Sequence, residues 1–136
     1  MIEESTKLVR RMYDEAWNKG KLDVVDEICA PDYVGVGPYG DEHGPESVKS
    51  GILTRRQAFP DIHVTIEDII ASGDKVVARL TFRGTHRGEF LGVQPTGQEV
   101  IWSGIWIYRV ANGKFVERWH NYDMHGLMRQ LGAIPS

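Results

Sequence analysis

Near the C-terminus, Arg118-Trp119-His120-Asn121-Tyr122 alternates at period two and runs into Asp123. On a strand, Arg118, His120 and Tyr122 share one face. An imidazole has an ordinary pKa of about 6.5, so His120 can take or give a proton near neutral pH. A carbon acid flanked by two carbonyls would need little more than one positioned base. A donor such as Tyr122 or Arg79 would steady the enolate. The plainer roles for His120 are contact with a ligand or a hydrogen bond to a pocket wall. Asp123 directly precedes a short terminal helix, where its carboxylate is expected to cap the free amides of the first turn. A functional acid is its second reading. His120 and Asp123 are thus the candidate catalytic residues.

The remaining titratable residues narrow the chemistry. His86 ends a strand beside a glycine-rich loop and is expected to tie that loop or touch a ligand. His43 lies in a flexible loop, and His63 carries no assignment. His120 and His125 lack metal-ligand spacing, and no His-x-x-His or Glu-x-x-His pair exists, so no metal is expected. Tyr13, Trp17, Trp102, Trp106 and Tyr108 would form an aromatic wall suited to a flat, conjugated ligand. No phosphate loop or Gly-x-Ser-x-Gly elbow occurs. Cys29 is expected in a helix, buried and unreactive.

These side chains need a frame. Leu8, Val9, Met12, Tyr13, Ala16 and Trp17 recur at helical spacing and predict a helix over about 2–18, stopped at Gly20. A second, shorter helix spans about 22–29. A third begins at Pro45 and ends at Pro60. Residues 35–44, with four glycines and one proline, read as a loop after one short strand. Strands follow over about 63–71, 75–86, 98–110 and 114–122. A loop over 87–97 interrupts them, and Asn112-Gly113 signals a type I′ hairpin. Helices followed by an antiparallel meander mean an α+β fold. In the third of these strands, Val100, Trp102, Trp106 and Tyr108 share one face and Ile101, Ile105 and Ile107 the other. The helices can cover one side only, so the other is expected to pair with a second copy as a homodimer.

The chain has 136 residues, 41% hydrophobic and 26% charged, with a formal net charge of −3. That suits a single domain over 1–136 with no nucleic-acid partner. Apolar runs are too short to span a bilayer, the acidic start is unlike a signal peptide, and one cysteine allows no internal disulfide. A cytoplasmic protein is the expectation.

Several stretches together resemble the SnoaL-like polyketide cyclase family of the nuclear-transport-factor-2-like superfamily. They are Arg10-Arg11-Met12 with Trp17-Asn18-Lys19-Gly20, Pro31-Asp32-Tyr33, Gly44-Pro45, Ala58-Phe59-Pro60-Asp61, Gly84-Thr85-His86-Arg87-Gly88, Gly92-Val93-Gln94-Pro95-Thr96-Gly97, Gly113-Lys114 and Arg129-Gln130-Leu131-Gly132. The resemblance implies a cone-shaped roll, in which a curved antiparallel sheet and three N-terminal helices enclose a pocket, usually in a dimer. It also implies an intramolecular aldol condensation without metal or cofactor. The family's catalytic aspartate falls on His120, its histidine on Trp106 and its asparagine on Gly35. Trp106 should make the pocket smaller and drier, for a ligand smaller than a tetracyclic precursor. A related branch, similar to limonene epoxide hydrolase, uses Arg-x-Asp where this chain has Arg79-Leu80-Thr81, which disfavours that mechanism.

Two readings of function follow. One is an acid/base enzyme of the aldol cyclase or isomerase type, acting on a small carbonyl compound. His120 and Asp123 would do chemistry, and Tyr13, Trp17, Arg79, His86, Trp102, Trp106 and Tyr122 would contact substrate. The alternative is a non-catalytic dimer that binds a small apolar ligand. Some relatives are associated with polyketide hydroxylation, and no residue here speaks for or against that.

Overall fold

The computed structural model describes residues 2–37 and 40–134. Helix α1 (Ile2–Arg10) continues into a π-helical segment (Arg11–Trp17), and α2 (Asp23–Ile28) follows. Strands β1 (Cys29–Val36) and β2 (Glu42–His43) lead into α3 (Gly44–Ala58). The meander is β3 (His63–Ser72), β4 (Lys75–Thr85), β5 (Glu99–Ala111) and β6 (Lys114–Tyr122), closed by α4 (Met124–Gln130). The six strands form one sheet in the order β2-β1-β6-β5-β4-β3. It is curved and unclosed, and its architecture is α+β.

Four features depart from the sequence reading. The first helix is not α-helical throughout: its second half widens to π geometry over Arg11–Trp17, a form often found at functional sites. Cys29 is not helical but opens β1, and burial pushes its thiol up to about 12. Strand β1 is longer than one short strand before a loop, and it pairs parallel with β6. The expected loop over 35–44 instead contains β2, which pairs back on β1 through Val34–His43 and Gly35–Glu42. Pro38 and Tyr39 in that loop lie outside the described residues.

The meander follows the expected order. Asn112 and Gly113 both have positive φ, 52° and 75°, as the type I′ turn requires. Asn18 fastens the first helix to the sheet, donating from Nδ2 to the Val64 carbonyl at 3.0 Å and accepting from the Val64 amide at 2.7 Å. The concave face of the sheet is packed under the helices. Val76, Ala78, Leu80 and Phe82 of β4 and Val100, Trp102, Trp106 and Tyr108 of β5 are all buried.

Among the described residues, no helix lies over the convex face. Ile101 and Ile105 are exposed there, at 46% and 48%. Ion pairs between Arg79 and Asp68 and between Arg109 and Glu117 lie among them.

One irregularity decides what the last strand presents. Val110 is opposite Phe115, yet Arg109 is opposite Glu117, so β6 bulges at Val116. Phe115 is buried and stacks on Tyr108 with ring centroids 4.1 Å apart. After the bulge, the inward positions are Arg118, opposite Tyr108, and His120, opposite Trp106. A bulge of this kind inserts one residue and re-aims the side chains beyond it.

Candidate active site

Arg118, His120 and Tyr122 open into a narrow cavity of about 80 Å³ between the concave face and the helices. The π-helical segment supplies Met12, Tyr13 and Trp17, while β4 and β5 supply Phe82, Trp102, Trp106 and Tyr108. Tyr33 comes from β1, and Val48, Gly51 and Arg55 from α3. Glu42, Arg55, Arg118, His120 and Tyr122 also line a wider mouth of about 470 Å³, together with Asp41 and Met124. The site is a tight aromatic interior with a polar, charged entrance.

The aromatic rings interlock. Phe82 stacks on Trp102 at 5.3 Å and 7°, and Trp106 stacks on Tyr122 at 5.8 Å and 15°. Gly104 lies opposite Tyr122. A Cβ at Gly104 would come within 2.5 Å of the Tyr122 Cβ, so the glycine allows the close approach of β6 there. The Tyr13 and Tyr108 hydroxyls hydrogen-bond each other deep in the molecule. Desolvation raises the pKa of both phenols and of Tyr33. All three stay protonated at neutral pH and can act only as neutral hydrogen-bonding groups.

His120 sits at the junction of interior and mouth. Its Nδ1 is buried and has no hydrogen-bond partner among the described residues. Burial, then the positive charges of Arg118 and Arg55, lower its pKa to about 4. That is well below the ordinary value expected from sequence. The imidazole is therefore neutral at physiological pH and holds a lone pair available to accept a proton.

Of the expected site residues, Tyr13, Trp17, Trp102, Trp106, His120 and Tyr122 come together in this cavity. Three others lie outside its lining. Arg79 points from the convex face, where its Nε donates to Asp68 at 2.7 Å. Its position on β4 has the opposite parity to Ala78, Leu80 and Phe82, which face the core. His86 is fully buried, and its Nδ1 accepts from the Thr96 amide at 3.1 Å, tying the loop after β4. Asp123 caps α4, its Oδ1 accepting from the Gly126 amide at 2.8 Å.

Sequence reasoning missed Arg55, Glu42 and Tyr33. Arg55 and Glu42 look like surface charges in their own elements, and only the packing of α3 and β2 against the mouth of the cavity shows otherwise. Among the described residues, no three His, Cys, Asp or Glu side chains gather to hold a metal ion.

The sequence profile of the SnoaL-like polyketide cyclases matches residues 7–131. This chain belongs to the SnoaL-like polyketide cyclase family. Among its SnoaL-like relatives, aklanonic acid methyl ester cyclase DnrD of Streptomyces peucetius is 33% identical over 131 residues, covering 92% of this chain and 88% of DnrD. Nogalonic acid methyl ester cyclase of Streptomyces nogalater is 29% identical over 121 residues, 86% of this chain and 90% of that protein. In three dimensions, AclR of Streptomyces galilaeus, described as a candidate hydroxylase, superposes with a TM-score of 0.90 at 34% identity. That match covers 100% of this chain and 85% of AclR. Within the SnoaL-like scaffold, Trp106 and His120 line the cavity as cross-strand neighbours, and Gly35 is in register with Arg118.

Proposed function

We propose that this SnoaL-like chain is an acid/base enzyme of the aldol cyclase or isomerase type, working without a cofactor on a small conjugated carbonyl compound. The observation that carries this reading is His120, a neutral imidazole with an unpartnered Nδ1 at the throat of an aromatic cavity. In the reaction, His120 takes the proton from a carbon between two carbonyls. The new carbanion attacks an internal carbonyl carbon, and the imidazolium returns the proton to the resulting alkoxide. Proton and charge balance over the cycle. Tyr122, whose ring lies 5.2 Å from that of His120, serves as the hydroxyl donor to the enolate. Asp123 is engaged as a helix cap and takes a structural role here.

The curated relatives are named as cyclases of aklanonic acid methyl ester and nogalonic acid methyl ester. The tight interior and the indole of Trp106 favour a smaller substrate in this chain. The test is deuterium incorporation from D₂O into the acidic carbon of aryl β-keto methyl esters, followed by NMR against the spontaneous rate. Exchange in the wild type that His120→Gln abolishes supports the reading. No exchange above background across such a panel, with ligand binding intact, turns it into the non-catalytic ligand binder. That second reading is favoured by the replacement of the family's catalytic set at Gly35, Trp106 and His120.

We also propose a homodimer through the convex face. A row of apolar side chains, Ile70, Val77, Ile107 and Trp119, runs across four strands in register. A cytoplasmic location and no nucleic-acid partner complete the reading, the latter supported by the net charge of −3.

A further inference from the structure

Arg118 is placed as a receptor rather than as a structural ion. Its side chain is only 11% exposed, and its Nε is buried without a hydrogen-bond partner among the described residues. The acid facing it is Glu42, whose Oε2 lies 3.7 Å from Nη1, beyond hydrogen-bond reach. Glu42 belongs to the two-residue edge strand β2, and its own side chain is 54% exposed. Such a contact offsets little of the cost of burying a guanidinium.

The backbone beneath is shaped to hold that group. Gly35 is in register with Arg118 across the parallel pairing of β1 and β6. A Cβ at Gly35 would come within 2.8 Å of Nη2 and 2.9 Å of Cζ. Glycine at this position therefore makes the room in which the guanidinium lies. By the family resemblance, the same position otherwise carries an asparagine.

A second guanidinium shares the cavity. Arg55 lines both interior and mouth, pairs with no carboxylate among the described residues, and donates only a long 3.4 Å bond to the Gly51 carbonyl. Its guanidinium lies 5.7 Å from the centre of the Phe90 ring. The inner cavity thus holds two arginines against one glutamate, with His120 uncharged between them. Asp41 lies outside, on the exposed rim of the mouth. Positive charge is left over in a low-dielectric aromatic chamber, where a planar fork of donors binds a carboxylate most strongly.

We infer that the ligand of this cavity carries a free carboxylate, held by Arg118 and Arg55, on a flat conjugated body that packs among Phe82, Trp102 and Trp106. The inference rests on the reading above only in placing the ligand in this cavity. It sets the chain apart from relatives whose names specify methyl esters, since an ester offers no charge to a guanidinium.

The experiment is calorimetric binding of 2-naphthoate, methyl 2-naphthoate and 2-naphthamide to the full chain. The acid should bind at least ~10-fold tighter than either neutral probe, the discrimination expected of a charge-assisted, desolvated contact. Arg118→Met should bring that ratio close to one. Gly35→Ala, which keeps the charge but crowds the guanidinium, should reduce it several-fold. Thermal unfolding confirms that each variant is folded. If Arg118→Met does not fold, the wild-type ratio and Gly35→Ala decide.

Neutral probes binding as tightly as the acid, a ratio unchanged in Arg118→Met, or no binding by any probe would overturn the inference. The exchange assay on neutral β-keto esters fails or succeeds separately. Acid preference without exchange in neutral esters shown to bind removes the catalytic reading alone, and exchange without acid preference removes this one alone.

Discussion

The ring of His120 meets the indole of Trp106 edge-on, with centroids 5.5 Å apart and planes at 90°. The two are cross-strand partners on β6 and β5. They occupy the positions where the family resemblance puts an aspartate and a histidine. By that resemblance, the imidazole stands one strand over from the family's histidine, and an apolar ring stands in that histidine's place. A histidine against indole is desolvated, and two nearby arginines add their charge. Both effects act in the same direction on its proton affinity.

The first prediction concerns that affinity. The group is neutral above about pH 4 in the free protein. If His120 is the base, kcat/KM should rise with pH through about 4 and stay flat through neutrality. Histidine NMR titration reads the same group directly. Arg118→Met removes one of the lowering charges, so the midpoint should move up toward the ordinary imidazole value. A midpoint already near 6.5 in the wild type would contradict the described environment.

Stability should follow the same proton. The unfolded chain binds a proton at His120 below about pH 6.5, whereas the folded chain resists it until about 4. Folding stability from this group is therefore full above 6.5 and falls as pH drops toward 4. His120→Gln should flatten that slope in urea unfolding. Partial exposure of the ring keeps the effect below that of a fully buried group.

Asp123→Ala separates cap from catalyst. Losing the bond to the Gly126 amide should cost about 1 kcal/mol of stability. Deuterium exchange per folded molecule should change less than about twofold, where removal of a general acid/base would cost on the order of 10²-fold or more. Chemical denaturation and the exchange assay distinguish the two.

Trp106→Ala should widen the interior. Truncating a buried tryptophan costs about 3 kcal/mol at the low end of its range, and a side chain that already borders open space belongs there. Larger fused-ring ligands should gain affinity relative to single-ring ones, as measured by calorimetry.

The convex face gives the last prediction. Ile107→Asp puts a charge in the middle of the apolar row and should convert a dimer to a monomer in sedimentation velocity, with the cavity's ligand affinity retained. A wild-type chain that sediments as a monomer at micromolar concentration would remove the dimer proposal.

Local patterns carried much of the fold. The apolar spacing of Leu8, Val9 and Met12, the prolines around α3, and Asn112-Gly113 are short-range signals, and the elements they announce are present. The parallel pairing of β1 with β6 was not legible, because partners some eighty residues apart leave no mark on either segment. The same holds for the charged entrance. Arg55 sits among ordinary helix-surface residues, and its approach to the cavity depends on the packing of α3 against β1. Arg79 and Arg118 look equivalent as strand arginines, yet one pairs with Asp68 outside and the other is enclosed. The difference is parity, which a single strand does not disclose when a bulge intervenes.

That bulge at Val116 has a consequence for how such cavities diversify. Phe115 and Arg118 both face inward although an odd number of positions separates them. Were the bulge ironed out with every residue kept, strict alternation from Phe115 would turn Glu117, Trp119 and Asn121 into the chamber in place of Arg118, His120 and Tyr122. No codon for a functional residue need change for the chemistry to be replaced wholesale. The bulge between the hairpin and His120 is therefore inherited information as much as the histidine itself.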